Sequence, residues 1–379
     1  MDSCSRTASQ SNATRAALTW RFVAAISAFL APAALAQMQL EPPSSGLINP
    51  RAIVFSPATK KVYAVDSSQG EVQIYADPGS EMHRVKVGAA PVSIAVNSAS
   101  GRVYVANAGD GTVSVIDGKS DLVMATIPIG SHPYSIAADS ATGKVYVTHT
   151  FGDQLTILDG ATNTAVEVKT GSSDLIAINS RTATIYLLGF GGAVMALDGT
   201  SHKMTSLPVG RHAWALTLND ATGTVYVARI EDADLAAVNG HSSGISILPA
   251  GAIPCAIAVN SKADTLYVAN YGDGTVTVIN STTGRATATI PVGEHPKAIA
   301  FDPISNQVYV ANTSSGTVTV IDAENVAVVA TLPAGKNPYA LAVAPGSNSL
   351  YVANEADGNS STVVDLSLIR KASLAPAFR

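Results

Sequence analysis

An all-β fold, built from one four-stranded unit repeated in tandem, is what this sequence predicts, and three observations predict it. The segment VYVANAGDGTVSVID at 103–117 returns as LYVANYGDGTVTVIN at 266–280. Tyrosines aligned on that segment, Tyr63, Tyr104, Tyr146, Tyr186, Tyr226, Tyr267, Tyr309 and Tyr351, follow one another at intervals of 40 to 42 residues, so the chain holds eight copies. Composition agrees: 379 residues are 47% hydrophobic but only 13% charged, with 30 Gly and 19 Pro, a balance that favours short strands and tight turns over helical bundles. Four short strands every ~40 residues is the spacing of a propeller blade. The expected fold is a β-propeller of eight four-stranded antiparallel blades, with seven blades as the alternative.

The elements follow in order. Arg6, Arg15 and Arg21 precede an apolar run from Phe22 to Leu30, and Ala34-Leu35-Ala36 stands before Gln37. A positive region, a short apolar core and a small-x-small site describe a secretory signal peptide over 1–36, too short for a comfortable membrane span. Residues 37–379 are expected to form one propeller domain, exported to the periplasm, the extracellular space or the cell surface. Processing removes three Arg and Asp2, a net +2, so the formal charge moves from −5 to about −7. That balance recommends no nucleic-acid partner. Cys255 is left as the single cysteine, so no internal disulfide holds the exported protein and packing must do so.

Within the second copy the strands are SIAVN (93–97), VYVAN (103–107), VSVID (113–117) and ATIPIG (125–130). Val and Ile favour pleated strands, and SASG, AGDG and GKSD separate them with turn formers. The eighth copy has three clear strands and no ATIPVG after them, while MQLEPPSSGLINP (38–50) precedes the first copy. An N-terminal strand completing the last blade would close the ring and leave no raw sheet edge.

The segments VYVAN, DGTVSVID, ATIPVG and HPKAIAF resemble the YVTN-type β-propeller repeat family of secreted and cell-surface proteins. The resemblance covers nearly all of residues 37–379. It implies the fold and an exported setting, and it is nearly silent on activity, because propellers host unrelated functions.

Blade topology places the loops entering each first strand beside those joining strands two and three, around the mouth of the central channel. Entering the blades, the residue before Pro or its equivalent is Asn49, Ala90, His132, Ser172, His212, Ile253, His295 and Asn337; the residue after it is Arg51, Val92, Tyr134, Asp174, Trp214, Cys255, Lys297 and Tyr339. Variation on a copied scaffold is where a binding surface would be written. The channel-mouth binding candidates are therefore Arg51, His132, Tyr134, Asp174, His212, Trp214, His295, Lys297 and Tyr339, with His149 and Arg229 at strand-two ends. His132, His212 and His295 sit in alternate blades and cannot share one metal ion, since packed sheets stand about 10 Å apart and a zinc–nitrogen bond is about 2.0–2.1 Å. His149 faces His132 within one blade, about 5 Å away by strand pairing, but two ligands make a weak site. No metal site and no cofactor are expected. The repeated strand-end Asn reads as bonding the backbone of the turn that follows, and the strand-three Asp or Asn as a turn former. No G-x-S-x-G and no H-E-x-x-H occurs, so no catalytic residue is assigned. The expected function is an exported, monomeric, non-catalytic scaffold whose mouth binds a protein or glycan. The alternative is an enzyme resembling propeller lyases, lactonases or quinoprotein dehydrogenases, using His132, His149, His212 and His295 with Glu231 or Glu294. Convergence of several ionisable groups on one point discriminates the two.

Overall fold

Apolar runs of four to seven residues, cut every few positions by Gly, Asn, Asp or Thr, are too short for helices and the right length for strands. The computed structural model describes residues 52–76, 82–150, 152–189, 193–210, 212–239, 244–345, 347, 349–355 and 361–366. In them, 31 strands form eight antiparallel sheets, each assembled from consecutive strands. Seven sheets have four described strands, and the eighth has three, Pro338–Val343, Ser349–Asn354 and Ser361–Asp365. The protein is an eight-bladed β-propeller, with the blade count that the tyrosine spacing predicts. Residues 38–50, expected to supply the outer strand of blade eight, and residues 1–36, expected to be a signal peptide, lie outside the described residues. Ring closure is visible in packing. Ile53, Val62 and Ala64 of blade one share an apolar cluster with Leu341, Tyr351 and Val352 of blade eight, and the Tyr75 and Tyr351 rings lie 5.5 Å apart.

The repeated tyrosine locks each blade to the next. All eight rings are buried, with no more than 3% exposed. Tyr63 Oη donates to the Gly118 carbonyl in the following blade at 3.3 Å. A Cβ on Gly160 would stand 2.6 Å from Tyr104 Oη and 2.5 Å from the Gly143 carbonyl, so the glycine after the strand-three Asp is required by this approach. Burial pushes the Tyr63 and Tyr146 hydroxyls up to about 12, so they stay protonated and available as donors. In the first three blades a cation two residues before the tyrosine adds a second tie. Lys61 Nζ reaches Gly118 O at 3.0 Å and Asp121 at 2.7 Å, Arg102 donates to Gly160 O, and Lys144 Nζ to Gly199 O at 3.1 Å.

The strand-end asparagines correct one expectation. Asn107 Nδ2 donates to Thr112 Oγ1 and Ser114 Oγ, both at 3.0 Å, and Asn270 and Asn312 repeat the pattern on Thr275 with Thr277 and Thr317 with Thr319. These amides bond hydroxyls of the third strand rather than backbone of the following turn, because one hydroxyl stands opposite each Asn in the ladder and the second lies two residues on, on the same face. The strand-three residues behave as expected. Asp159 Oδ1 accepts from the N–H groups of Ala161 and Thr162, and Asp198 Oδ1 from Thr200 and Ser201.

Candidate functional site

Every described blade entry except that of blade four places the residue before the inner strand in the left-handed region. The φ values are 45° at Ala90, 55° at His132, 56° at His212, 54° at Ile253, 52° at His295 and 50° at Asn337. A β-branched residue such as Ile253 avoids this conformation unless its surroundings impose it. The carbonyls show what imposes it: each accepts the N–H of the residue after strand two, at 3.0 Å for Ala108→Ala90, 2.9 Å for Thr150→His132 and 3.1 Å for Ile230→His212. The backbone is fixed by the fold, and the side chain is left to vary.

The next residue is handled differently. The ladder between strands one and two shifts register at this point in blades two, three, five, six, seven and eight. A bulge re-aims the bulged side chain, and here it turns inward. Val92, Tyr134, Cys255, Lys297 and Tyr339 are all buried, Trp214 is half-buried against the apolar cluster that contains Cys255, and Asp174 is buried in blade four without a register shift. The expectation that these residues present a solvent-facing surface is therefore corrected. They form a belt beneath the mouth, and the series itself carries the signal, since Val92 and Cys255 are poor rim residues. Arg51, the first member of the series, lies outside the described residues.

The exposed rim holds His132, His212 and, half-buried, His295. His212 Nδ1 lies 2.7 Å from Glu231 Oε2. His295 Nδ1 lies 2.6 Å from Ser314 Oγ, and its ring stacks on Tyr271 at 4.4 Å. Arg229 is held by Asp234 through Nε at 2.7 Å and Nη2 at 2.6 Å, and by Asp232 through Nη1 at 2.8 Å. His149 does not pair with His132. It is buried, with Nδ1 3.0 Å from the Ser131 carbonyl and Nε2 2.7 Å from Thr156 Oγ1. It thereby takes the place that Asn107 occupies in blade two, and burial lowers its pKa. His149, His212 and His295 thus engage separate local partners in three blades, and His132 stands exposed on the rim. Among the described residues no group of three or more His, Cys, Asp or Glu is placed to hold a metal ion.

Two belt residues carry charge. Lys297 lies 3.8 Å from Glu355 of blade eight. Asp174 has burial alone acting on it, which pushes its carboxyl up to about 6. Cys255 is wholly buried, its Sγ 3.1 Å from the Pro296 carbonyl, and burial raises the thiol to about 12, which removes it as a nucleophile. Tyr271, Ser314 and Glu355 are not legible from sequence as site residues: topology puts the strand-two loops at the mouth, but which of their side chains meet His295 or Lys297 is set by packing between distant segments. A cavity of about 310 Å³ lies at the opposite end of the inner strands, lined by Thr217, Asp220, Ala258, Ser261, Phe301 and Pro345 among others.

No helix of the described residues is long and apolar enough to cross a membrane. A comparison with curated proteins found no match. Solved structures similar in fold include hydrazine synthase of Kuenenia stuttgartiensis, with TM-score 0.58 and 18% identity over 74% of this chain and 97% of that one. Saccharomyces cerevisiae Sqt1 follows with TM-score 0.71 and 12% identity over 89% and 99%. The dihydro-heme d1 dehydrogenase NirN gives TM-score 0.67 and 13% identity over 78% and 68%. At such identities they share the fold. Residues 225–363, from the second strand of blade five to the third of blade eight, match the YNCE-like beta-propeller family, in keeping with the YVTN-type repeat, and the chain as a whole is an eight-bladed β-propeller.

Proposed function

We propose that this protein is an exported, non-catalytic binding propeller that presents its channel mouth to a protein or glycan partner. The observation that carries the reading is the contrast at the blade entries, where one backbone hydrogen bond is copied around the ring while the side chain at its centre changes from Ala90 to His132, His212, Ile253, His295 and Asn337. A scaffold of this kind varies contacts without altering the frame. The rim offers stacked Tyr271 and His295 together with exposed Glu231, Glu294 and Lys336, a mixture of aromatic and charged groups suited to an interface. Export rests on the charged and apolar segments of residues 1–36. N-terminal sequencing of the exported protein should begin near Gln37, and a cytoplasmic protein retaining Phe22 to Leu30 would refute export.

The enzymatic alternative takes its support from the names of two similar structures, a dehydrogenase and a synthase. Against it stands the separation of the histidines, three of which, His149, His212 and His295, each have their own partner in a different blade. A photo-crosslinking residue placed at His212, Glu294 or Lys336 should capture the partner in the native compartment, and one placed at Asp220 or Ser261 on the opposite face should not. Capture from the opposite face alone would overturn the reading.

A further inference from the structure

The belt beneath the mouth buries one cation and one anion and treats them unequally. Lys297, 2% exposed, has Glu355 as its counter-ion. Asp174, 8% exposed, occupies the equivalent place in blade four, and its Oδ2 is buried with no hydrogen-bond partner. Among the described residues no Lys, Arg or His forms an ion pair with it. Proteins rarely bury a carboxylate unpaired, because the ion's lost hydration must be replaced by hydrogen bonds or a cation.

The surroundings repeat the deficit. Ser135 Oγ in blade three, Ser173 Oγ beside Asp174, and Trp214 Nε1 in blade five are also buried without a partner. These groups occupy one arc. The inner strand of blade four, Leu175–Asn179, packs against Pro133–Ala138 of blade three and Ala213–Asn219 of blade five. Thr148 ties two of them: its Oγ1 accepts from the Ser135 N–H at 3.1 Å and donates to the Asp174 carbonyl at 3.1 Å. Trp214 stands at the same register position as Asp174, one blade further on. Unmet amide atoms elsewhere in the ring, at Asn107, Asn219 and Asn312, belong to side chains whose other amide atom is bonded, and Asn163 Oδ1 lies apart in the turn between strands three and four of blade three. Three unmet oxygens in the adjacent blades three and four, Ser135 Oγ, Ser173 Oγ and Asp174 Oδ2, point instead to a bound group that donates hydrogen bonds.

The chemistry on offer is specific. One carboxylate oxygen and two hydroxyl oxygens accept hydrogen bonds, and an indole presents a π face. An ammonium brings three donors and a guanidinium five, and both are attracted to an indole face. Above this arc the loops pair Asp153 with Lys169, Glu231 with His212, and Asp232 and Asp234 with Arg229. We propose that Ser135, Ser173, Asp174 and Trp214 form a receptor for an organic cation, the ammonium of a lysine or the guanidinium of an arginine carried by the partner; this rests on the mouth being the binding face, and it favours a protein over a glycan.

The test uses the full chain at pH 8 with three capped peptides, Gly-Lys-Gly, Gly-Arg-Gly and the neutral Gly-norleucine-Gly, followed by tryptophan emission and calorimetry. The chain has two tryptophans, Trp20 and Trp214, and Trp214→Phe identifies which one responds. The lysine and arginine peptides should bind saturably and shift Trp214 emission, and the norleucine peptide should not. Asp174→Asn should weaken binding at least tenfold without lowering the melting temperature, while the rim variant Glu294→Gln should change it less than about threefold. If Asp174→Asn does not accumulate, Ser173→Ala carries the same test, with a severalfold loss expected. Undiminished binding by Asp174→Asn, or equal binding of the norleucine peptide, would overturn the proposal. Silence from all three peptides would overturn it too, and crosslinks from the rim would then leave the mouth standing as the binding face.

Discussion

At the scale of single residues, Asp174 carries a measurable consequence even without a partner. Burial raises its carboxyl from the ordinary 3.8 to about 6, so the folded chain holds that proton more tightly than the unfolded chain. Stability from this group is therefore full below about pH 4 and is lost as the pH rises through about 6, a loss of roughly 3 kcal/mol at most at 1.36 kcal/mol per pKa unit. Asp174→Asn should remove the penalty, raising the melting temperature at pH 8 by roughly 4–6 °C and changing it little at pH 4. A variant that melts lower at pH 8 would show that the carboxylate has a stabilising partner. Trp214 gives a different lesson. Equivalent positions hold Val92, Asp174 and Lys297, which from sequence suggests an indole free of packing duties, yet the ring lies against the core of blade six. Trp214→Ala should cost about 1–2 kcal/mol and so confounds binding with stability; Trp214→Phe keeps most of the contact. Cys255 is sealed from solvent, and in Cys4→Ser protein a thiol reagent should react with it only after denaturant is added. Rapid labelling of the native protein would mean that blades six and seven part readily.

At the scale of elements, the strands are legible in the sequence because their signal is local. Val and Ile alternate between turn formers, and the structure has Pro91–Val96, Arg102–Asn107, Thr112–Asp117 and Leu122–Pro128 where the turn residues divide the second copy. The bulge at the entries of blades two, three, five, six, seven and eight is not legible. It arises from the hydrogen bond between the left-handed residue and the strand-two loop, a contact between segments about twenty residues apart. That one-residue shift turns Val92, Tyr134, Cys255, Lys297 and Tyr339 beneath the mouth rather than onto it, whereas Asp174 is buried beside a ladder without the shift. Two glycines of blade three separate turn geometry from packing. Gly143 has φ +75°, and nothing lies within 4 Å of where an added methyl would stand, so Gly143→Ala should cost only about 1 kcal/mol of backbone strain. At Gly160 the methyl would meet both Tyr104 Oη and a carbonyl, so Gly160→Ala should cost more, at least about 2 kcal/mol by chemical denaturation. Equal effects would deny the tyrosine its part in joining the blades.

At the scale of the whole molecule, the count of eight follows from the tyrosine period, whereas the meeting of blade one with blade eight shows only in the fold, where Ile53, Val62 and Ala64 lie among residues of the last blade. The strand expected from 38–50 belongs to this scale. Deleting residues 37 to 46 should lower the melting temperature of the entire ring, because one opened blade exposes an edge that every other blade depends on through the closed circle. An unchanged melt would place the outer strand of blade eight elsewhere in the chain. The function rests on which end of the ring is used, since the mouth has the varied rim and the unmet polar arc while the opposite end has the 310 Å³ cavity. Hydrogen exchange read by mass spectrometry, with and without the crosslinked partner or the lysine peptide, asks this directly. Protection is expected at 129–135, 171–175 and 212–214, the blade entries around Asp174; protection confined to the opposite turns at 139–143, 181–183 and 220–223 would contradict the mouth as the binding face.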